Sequence, residues 1–337
     1  MRKSFVLLMV VILVASMGLA GCGKRTMENV MKDLQGIQGS LKSYQSKAMM
    51  LVQTPGGSST KYYIETWYQR PDLYRIALGD DKKQINQVIV RNEEGIFVVN
   101  PSLKKSFRFR GDWAENQGGH VYLYHALVDR ILKAENKEFS IKEGLVQIEM
   151  PMVPENPLVT KQQIFLKEKN LHPHQMVLLS KDDQPIVTVD YEFFDTGMSF
   201  KKDAFTPEAA MTLGPEKGAL PAAAGKTDFG VIEPAYLPKD MVLKEISERD
   251  GAIYLVYNDA QGKTVTLVER RPAPGTTPLP SNTTVRDLYG TPAVVTGAGE
   301  VKTMYWTNRG VEFSMTGSLP IQEMMKIAQS TMGTVGK

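Results

Sequence analysis

Between residues 26 and 42 the apolar side chains recur at helical spacing. Met27, Val30, Met31, Leu34, Ile37 and Leu41 share one face, which predicts a helix. From residue 43 the period drops to two. Phe107 and Phe109 alternate with Arg108 and Arg110, and Val187, Val189, Tyr191 and Phe193 alternate with Ile186, Thr188, Asp190 and Glu192. Runs at 43–53, 61–69, 72–78, 84–91, 95–100, 145–150, 162–167 and 174–180 predict further strands. Turn signals such as Thr54-Pro55-Gly56-Gly57 and Asp182-Asp183-Gln184-Pro185 separate them. Short strands joined by tight turns imply a large antiparallel meander. Over 120–133 the helical period returns, with Tyr124, Leu127, Val128, Ile131 and Leu132 on one face. A curved sheet with both helices over its concave face would bury both stripes.

Aromatic residues crowd the early strands. Tyr63 and Trp67 fall on one side and Tyr62, Tyr68 and Tyr74 on the other, so a single core cannot hold both sets. Either helices cover one face and a second unit the other, or some of these rings line a cleft.

After residue 206 the pattern fades. "PEAAMTLGPEKGALPAAAGKT" is dominated by Pro, Gly and Ala, which predicts a linker over 207–230. Beyond it a compact unit over 231–337 is expected, with strands at 241–247, 252–258, 264–270, 303–308 and 311–316. Its final helix spans about 320–332 on Ile321, Met324, Met325 and Ala328. The Pro- and Thr-rich stretch 270–284 reads as a mobile loop. The fold class is therefore α+β, mainly antiparallel β, with a main domain at 22–206.

The first residues read differently. Arg2 and Lys3 precede an apolar run from Phe5 to Ala20, about 16 residues long and shorter than the roughly 20 a spanning helix needs. Leu19-Ala20-Gly21-Cys22 follows, which completes the layout of a cleaved secretion signal over 1–21. Cys22 is the only cysteine. The four-residue box resembles the bacterial lipobox, in which the thiol takes a diacylglyceryl group and becomes the first residue of the mature chain. Two or more acyl chains anchor stably where one does not. The expectation is a lipid-anchored protein at the extracytoplasmic face of the cell membrane.

Charge narrows the partners. Loss of residues 1–21 removes Arg2 and Lys3 from 40 basic residues and leaves all 37 acidic ones, a net charge near +1. Such a balance argues against nucleic acid. Catalytic motifs are missing: no GxSxG, no P-loop, no Gly-rich turn opening a helix. His120 and His125 are five apart, unlike the i,i+4 pair of helical zinc sites, and His172-Pro173-His174 reads as a turn. No enzyme activity, metal or cofactor is expected.

Two stretches carry a resemblance. "YYIETWYQRPDLYRI" (62–76) and "EEGIFVVNP" (93–101) resemble the LolA and RseB/MucB superfamily, with Arg70-Pro71 and Asn100-Pro101 at the positions of its motifs. "YLVYNDAQGKTVTLVERR" and "MYWTNRGVEFSMTGSLPIQEMMKIAQS" resemble the small C-terminal domain of RseB-like proteins. The whole arrangement is similar to YdcC-type sporulation lipoproteins of Bacillus relatives. This implies a LolA-like half-open β-barrel with lid helices plus a small α+β C-terminal domain. It also implies a lid-closing role for Arg70 and a ligand region at Tyr63, Trp67, Tyr124, Leu127 and Val128. Two readings follow. In one, the half-barrel binds an acyl chain or lipidated protein, and the C-terminal domain docks a protein, in a sensing, chaperone or sporulation/germination role. In the other, the barrel is filled by its own side chains, leaves no lipid cavity, and the chain is a structural or interaction scaffold for an envelope enzyme or regulator.

Overall fold

The computed structural model describes residues 25–53, 59–102, 104–109, 123–152, 159–201, 203–214, 230–271, 275–279, 283–288, 291–297, 299–308 and 310–332. The first of its helices, α1 (Met27–Ser40), starts at Thr26, whose hydroxyl accepts the Asn29 N–H at 3.3 Å and so satisfies one of the unpaired first-turn donors. Strands β1 (Ser43–Gln53), β2 (Ser59–Gln69), β3 (Leu73–Gly79), β4 (Ile85–Asn92), β5 (Gly95–Asn100) and β6 (Lys105–Phe109) form a meander. Helix α2 (Tyr124–Lys133) interrupts it. A second meander follows: β7 (Glu138–Lys142), β8 (Leu145–Pro151), β9 (Lys161–Lys167), β10 (Pro173–Leu179) and β11 (Pro185–Thr196). Strand β11 pairs back on β1, from Tyr44↔Thr196 to Val52↔Val187, and fuses the two meanders into one antiparallel sheet. Among the described residues its outermost strand on one side, β7, has no partner strand beyond β8, and the sheet is unclosed. The architecture is α+β and mainly antiparallel, as the period-two runs and the resemblance led one to expect.

Both helices lie on one face. Val30 and Leu34 of α1 and Leu127, Val128 and Ile131 of α2 join a cluster with Tyr44, Met50, Ile64, Ile148, Ile164 and Met176 of the strands. Leu34, Leu127, Val128 and Ile131 are at most 1% exposed, and burial on that scale contributes roughly 1.5–3 kcal/mol per side chain. The opposite face has its own smaller core of Ala77, Val88, Val90, Phe97 and Val99 beneath Phe205 and Ala210.

A second sheet is built from β12 (Val242–Arg249), β13 (Ala252–Asn258), β14 (Thr264–Arg270), β16 (Thr284–Leu288), β17 (Thr291–Thr296), β18 (Lys302–Asn308) and β19 (Val311–Gly317). The terminal helix, labelled α4 (Ile321–Ser330), buries Met324, Ile327 and Ala328 against Leu255, Leu267, Trp306 and Phe313. Val285, Val294 and Tyr305, from the sheet's other side, belong to the core of the first sheet. The second unit therefore shares the concave face with the lid helices and does not cover the opposite one.

Three expectations need correction. Residues 275–278, read as part of a mobile loop, form β15 (Gly275–Pro278), which pairs parallel with β6 and adds a twelfth strand to the first sheet. Its partner is distant in sequence, so local composition carried no sign of it. Residues 207–211, read as the start of a linker, form a short helix, α3 (Pro207–Met211). Thr206 caps it, Pro207 sits in its first turn, and Ala210 is fully buried. Strands β7, β16 and β17 were not expected from the sequence pattern. Helix α2 begins at Tyr124, and the rest of the stretch expected to be helical from 120 lies outside the described residues, as does most of the expected linker.

Candidate functional site

Arg70 stands at the end of β2, facing the last turn of α1. The final carbonyls of a helix have no partner within it. The Arg70 guanidinium supplies one, donating to the Gln38 carbonyl at 2.6 Å and the Gly39 carbonyl at 2.8 Å. The Gln38 side chain in turn donates to Asp129 of α2 at 2.8 Å. Sheet, first helix and second helix are thereby tied into one polar seam.

Beneath the seam lies a cluster of rings. Tyr44 is fully buried, and its hydroxyl oxygen accepts the Tyr124 N–H at 2.8 Å, one of the unpaired donors at the start of α2. The Tyr124 hydroxyl donates to the Leu171 carbonyl at 2.7 Å. His125 stacks on Tyr68 at 3.9 Å between ring centres, and its Nδ1 lies 3.3 Å from the Tyr44 hydroxyl. Burial pushes the His125 pKa down to about 4, with Asp129 opposing and Arg70 adding to the fall. The ring is neutral at ordinary pH and acts as a stacking surface. A cavity of about 320 Å³ opens beside this cluster, between Ile37 and Leu41 of α1's end and Tyr124, Asn170 and His172.

The sequence-derived candidates do not form one site. Arg70, Tyr124, Leu127 and Val128 lie on the helix side, the last three fully packed. Tyr63 and Trp67 are on the opposite face. There the Arg75 guanidinium sits 3.5 Å over the Trp67 ring and bonds Glu65 at 3.2 Å, Phe200 stacks on Trp67 at 4.9 Å, and the Tyr63 hydroxyl donates to Glu65 at 3.3 Å. Burial pushes the Arg75 pKa down, opposed by Glu65. Tyr63 and Trp67 thus brace an outer layer and do not join the lid region. Cys22 lies outside the described residues.

The pattern along the chain gave no sign of Tyr44, Tyr68 and His125 as a stacked group, because strand period and helix period meet there only in space. It also missed a second feature. Between the two sheets runs a cleft of about 870 Å³ bordered by the β3–β4 turn, the end of β5, Arg271, Thr291 and Thr307. Among the described residues no group of three or more His, Cys, Asp or Glu is placed to hold a metal.

The fold and the helix seam define a class: an unclosed antiparallel half-barrel under two helices, joined to a smaller sheet with one helix. Residues 1–205 match the family described as "Sporulation protein YdcC-like", and residues 231–330 match a domain of unknown function, DUF4367. The chain belongs to the sporulation protein YdcC-like family. It is 32% identical to "Sporulation protein YdcC" of Bacillus subtilis (strain 168), over 100% of this chain and 99% of that one. Among solved structures, the MucA/MucB complex of Pseudomonas aeruginosa aligns at 11% identity and a TM-score of 0.35, over 91% of this chain and 98% of the other. The complex of the CwlD amidase with the GerS lipoprotein of Clostridioides difficile aligns at 20% identity and a TM-score of 0.31, over 54% and 99%.

Proposed function

We propose that this chain is a lipid-anchored sporulation protein that binds a protein partner at the extracytoplasmic face of the cell membrane and performs no catalysis. The observation that carries the partner reading is the packing of α2. Leu127, Val128 and Ile131 are all but fully buried against the sheet, so the concave face there meets a partner as a closed helical surface rather than as a hollow. The signal layout and the box at Cys22 support the anchor. Met27 opens α1 five positions after Cys22, and an extended chain covers at most about 3.6 Å per residue. Lipid on Cys22 would hold the lid helices close to the membrane surface. Full-length similarity to a sporulation protein supports the setting.

A second reading has its own support. The lid is held to β2 by the Arg70 bonds, and the cavity beside Tyr124 lies at its edge, an arrangement that suits entry of an acyl chain. Native mass spectrometry of the full chain in mild detergent separates the two. A mass equal to the mature chain from Cys22 plus its lipid supports the partner reading. A further fatty-acid-sized adduct, lost in Leu127→Trp, overturns it in favour of the second.

A further inference from the structure

We infer that the cleft between the two sheets is a binding site for an uncharged glycan chain, separate from the lid region. At about 870 Å³ it falls within the roughly 300–1,000 Å³ usual for ligand sites. Beside the apolar Leu78, its most buried side chains are polar and uncharged: Gln87, Asn100, Thr291 and Asn308 are each under a tenth exposed. The Gln87 amide donates to the Thr307 hydroxyl at 3.0 Å across the junction. The two sheets thus meet here through an amide and a hydroxyl, although beside them they meet through Val98, Phe107, Pro292 and Val294. Apolar side chains at these positions would seal the junction without the cost of burying polar groups. A polar floor is useful where something polar has to bind.

The chemistry of the walls selects the ligand. Lys61 and Arg271 balance Asp80 and Asp81, so the cleft has no net field to draw a polyanion or a polycation. The Asp80 carboxylate is committed to its own turn, accepting the Lys82 and Gln84 N–H groups at 2.9 Å each. The wall carries further uncharged amides and hydroxyls at Ser59, Thr60, Gln84, Asn86 and Ser102. Each offers both a donor and an acceptor from one side chain, which matches the hydroxyl and acetamido groups of a sugar. The half-buried ring of Tyr62 adds a flat apolar surface for a pyranose face. A peptide is the competing occupant: residues 59–62 of β2 pair with β1, whereas the β2–β3 pairing begins at Tyr63↔Gly79, which among the described residues leaves a short strand edge that a peptide extends by main-chain bonds. The uncharged polar side chains favour the sugar, and the test separates the two.

The test is isothermal titration of the full chain in mild detergent with three probes: the β-1,4-linked tetramer of N-acetylglucosamine, cellotetraose, and an uncharged tetrapeptide. Saturable binding of either sugar is expected, weakened at least fivefold by Asn86→Ala at the half-buried wall and by Thr291→Val, which keeps the shape and removes the hydroxyl. The two sugars differ in their acetamido groups and show which groups the cleft reads. Melting temperatures of both variants check that the fold survives, and Asn86→Ala decides alone should Thr291→Val fail to fold. No sugar binding at millimolar concentration, binding by the variants equal to wild type, or binding of the peptide alone overturns the assignment.

Discussion

The Arg70 guanidinium lies 2.6 Å from the carbonyl oxygen of Gln38, on the last turn of α1. One exposed side chain at a strand end therefore completes the unpaired end of a lid helix. Removing it in Arg70→Ala leaves the Gln38 and Gly39 carbonyls to water. The expected loss of stability is about 1 kcal/mol, since bonds to a charged donor are worth more than neutral ones but solvent weakens exposed ones. Faster hydrogen exchange confined to α1 is the decisive readout. Arg70→Lys should recover only part of the protection, because an ammonium cannot fork to two carbonyls as a guanidinium does. Unchanged exchange in α1 would show the contact to be idle.

Leu127 tests how tightly the helix side is filled. Leu127→Ala should cost about 2–5 kcal/mol in chemical denaturation. Leu127→Glu should prevent cooperative folding of the first sheet, since a carboxylate would be buried without a partner. Leu127→Trp should overpack the interior and lower the melting temperature. A neutral effect of Leu127→Trp would reveal free space under α2.

His125 gives the first sheet an acid sensitivity. Its pKa falls to about 4 on folding from an ordinary value of 6.5, chiefly through burial, so the unfolded chain holds the proton more tightly. Stability from this group is complete above pH 6.5 and declines as pH falls through 4, by roughly 3 kcal/mol at most. His125→Phe keeps the ring stacked on Tyr68 and should flatten that part of the stability profile measured in urea between pH 4 and 7.

Glu269 should act in the opposite direction in the second sheet. Its carboxylate accepts the Ile232 N–H, yet burial raises its pKa from 4.5 to about 7, and nearby Glu233 adds to the rise. The folded state binds the proton more tightly, so this contribution is complete below pH 4.5 and is lost as pH rises through 7. Glu269→Gln should stabilise the second sheet at pH 8, by roughly 3 kcal/mol at most, and have little effect at pH 4.5. Amide exchange in β13 and β14 at the two pH values checks this, and equal protection in wild type and variant at pH 8 would contradict it.

For the anchor, Cys22→Ala is expected to abolish palmitate labelling and to move the chain from the membrane fraction to the soluble fraction, or to leave it as uncleaved precursor. Labelling equal to wild type would remove Cys22 from the proposal.

Much of the fold was legible because its elements obey local rules. The stripe of Val30 and Leu34 marked α1, Leu127, Val128 and Ile131 marked α2, and the period-two runs from Ser43 to Asn100 marked the meander. Arg70 was legible as a candidate only through the resemblance. Its spacing says nothing of Gln38, which the end of α1 and two strands separate from it.

What the sequence determined by itself was the periodicity of each segment and which residues share a face, since both follow from the geometry of a few neighbouring residues. Which face turns inward was decided by the tertiary structure. Both sides of β2 are aromatic, so alternation could not say that Tyr68 meets His125 and that Trp67 meets Arg75 and Phe200. Partners far apart along the chain were decided in the same way. β15 pairs with β6, and Gln87 meets Thr307, because the second sheet docks on the first. Such contacts depend on where complete surfaces come to rest, and no stretch of neighbouring residues encodes that position alone.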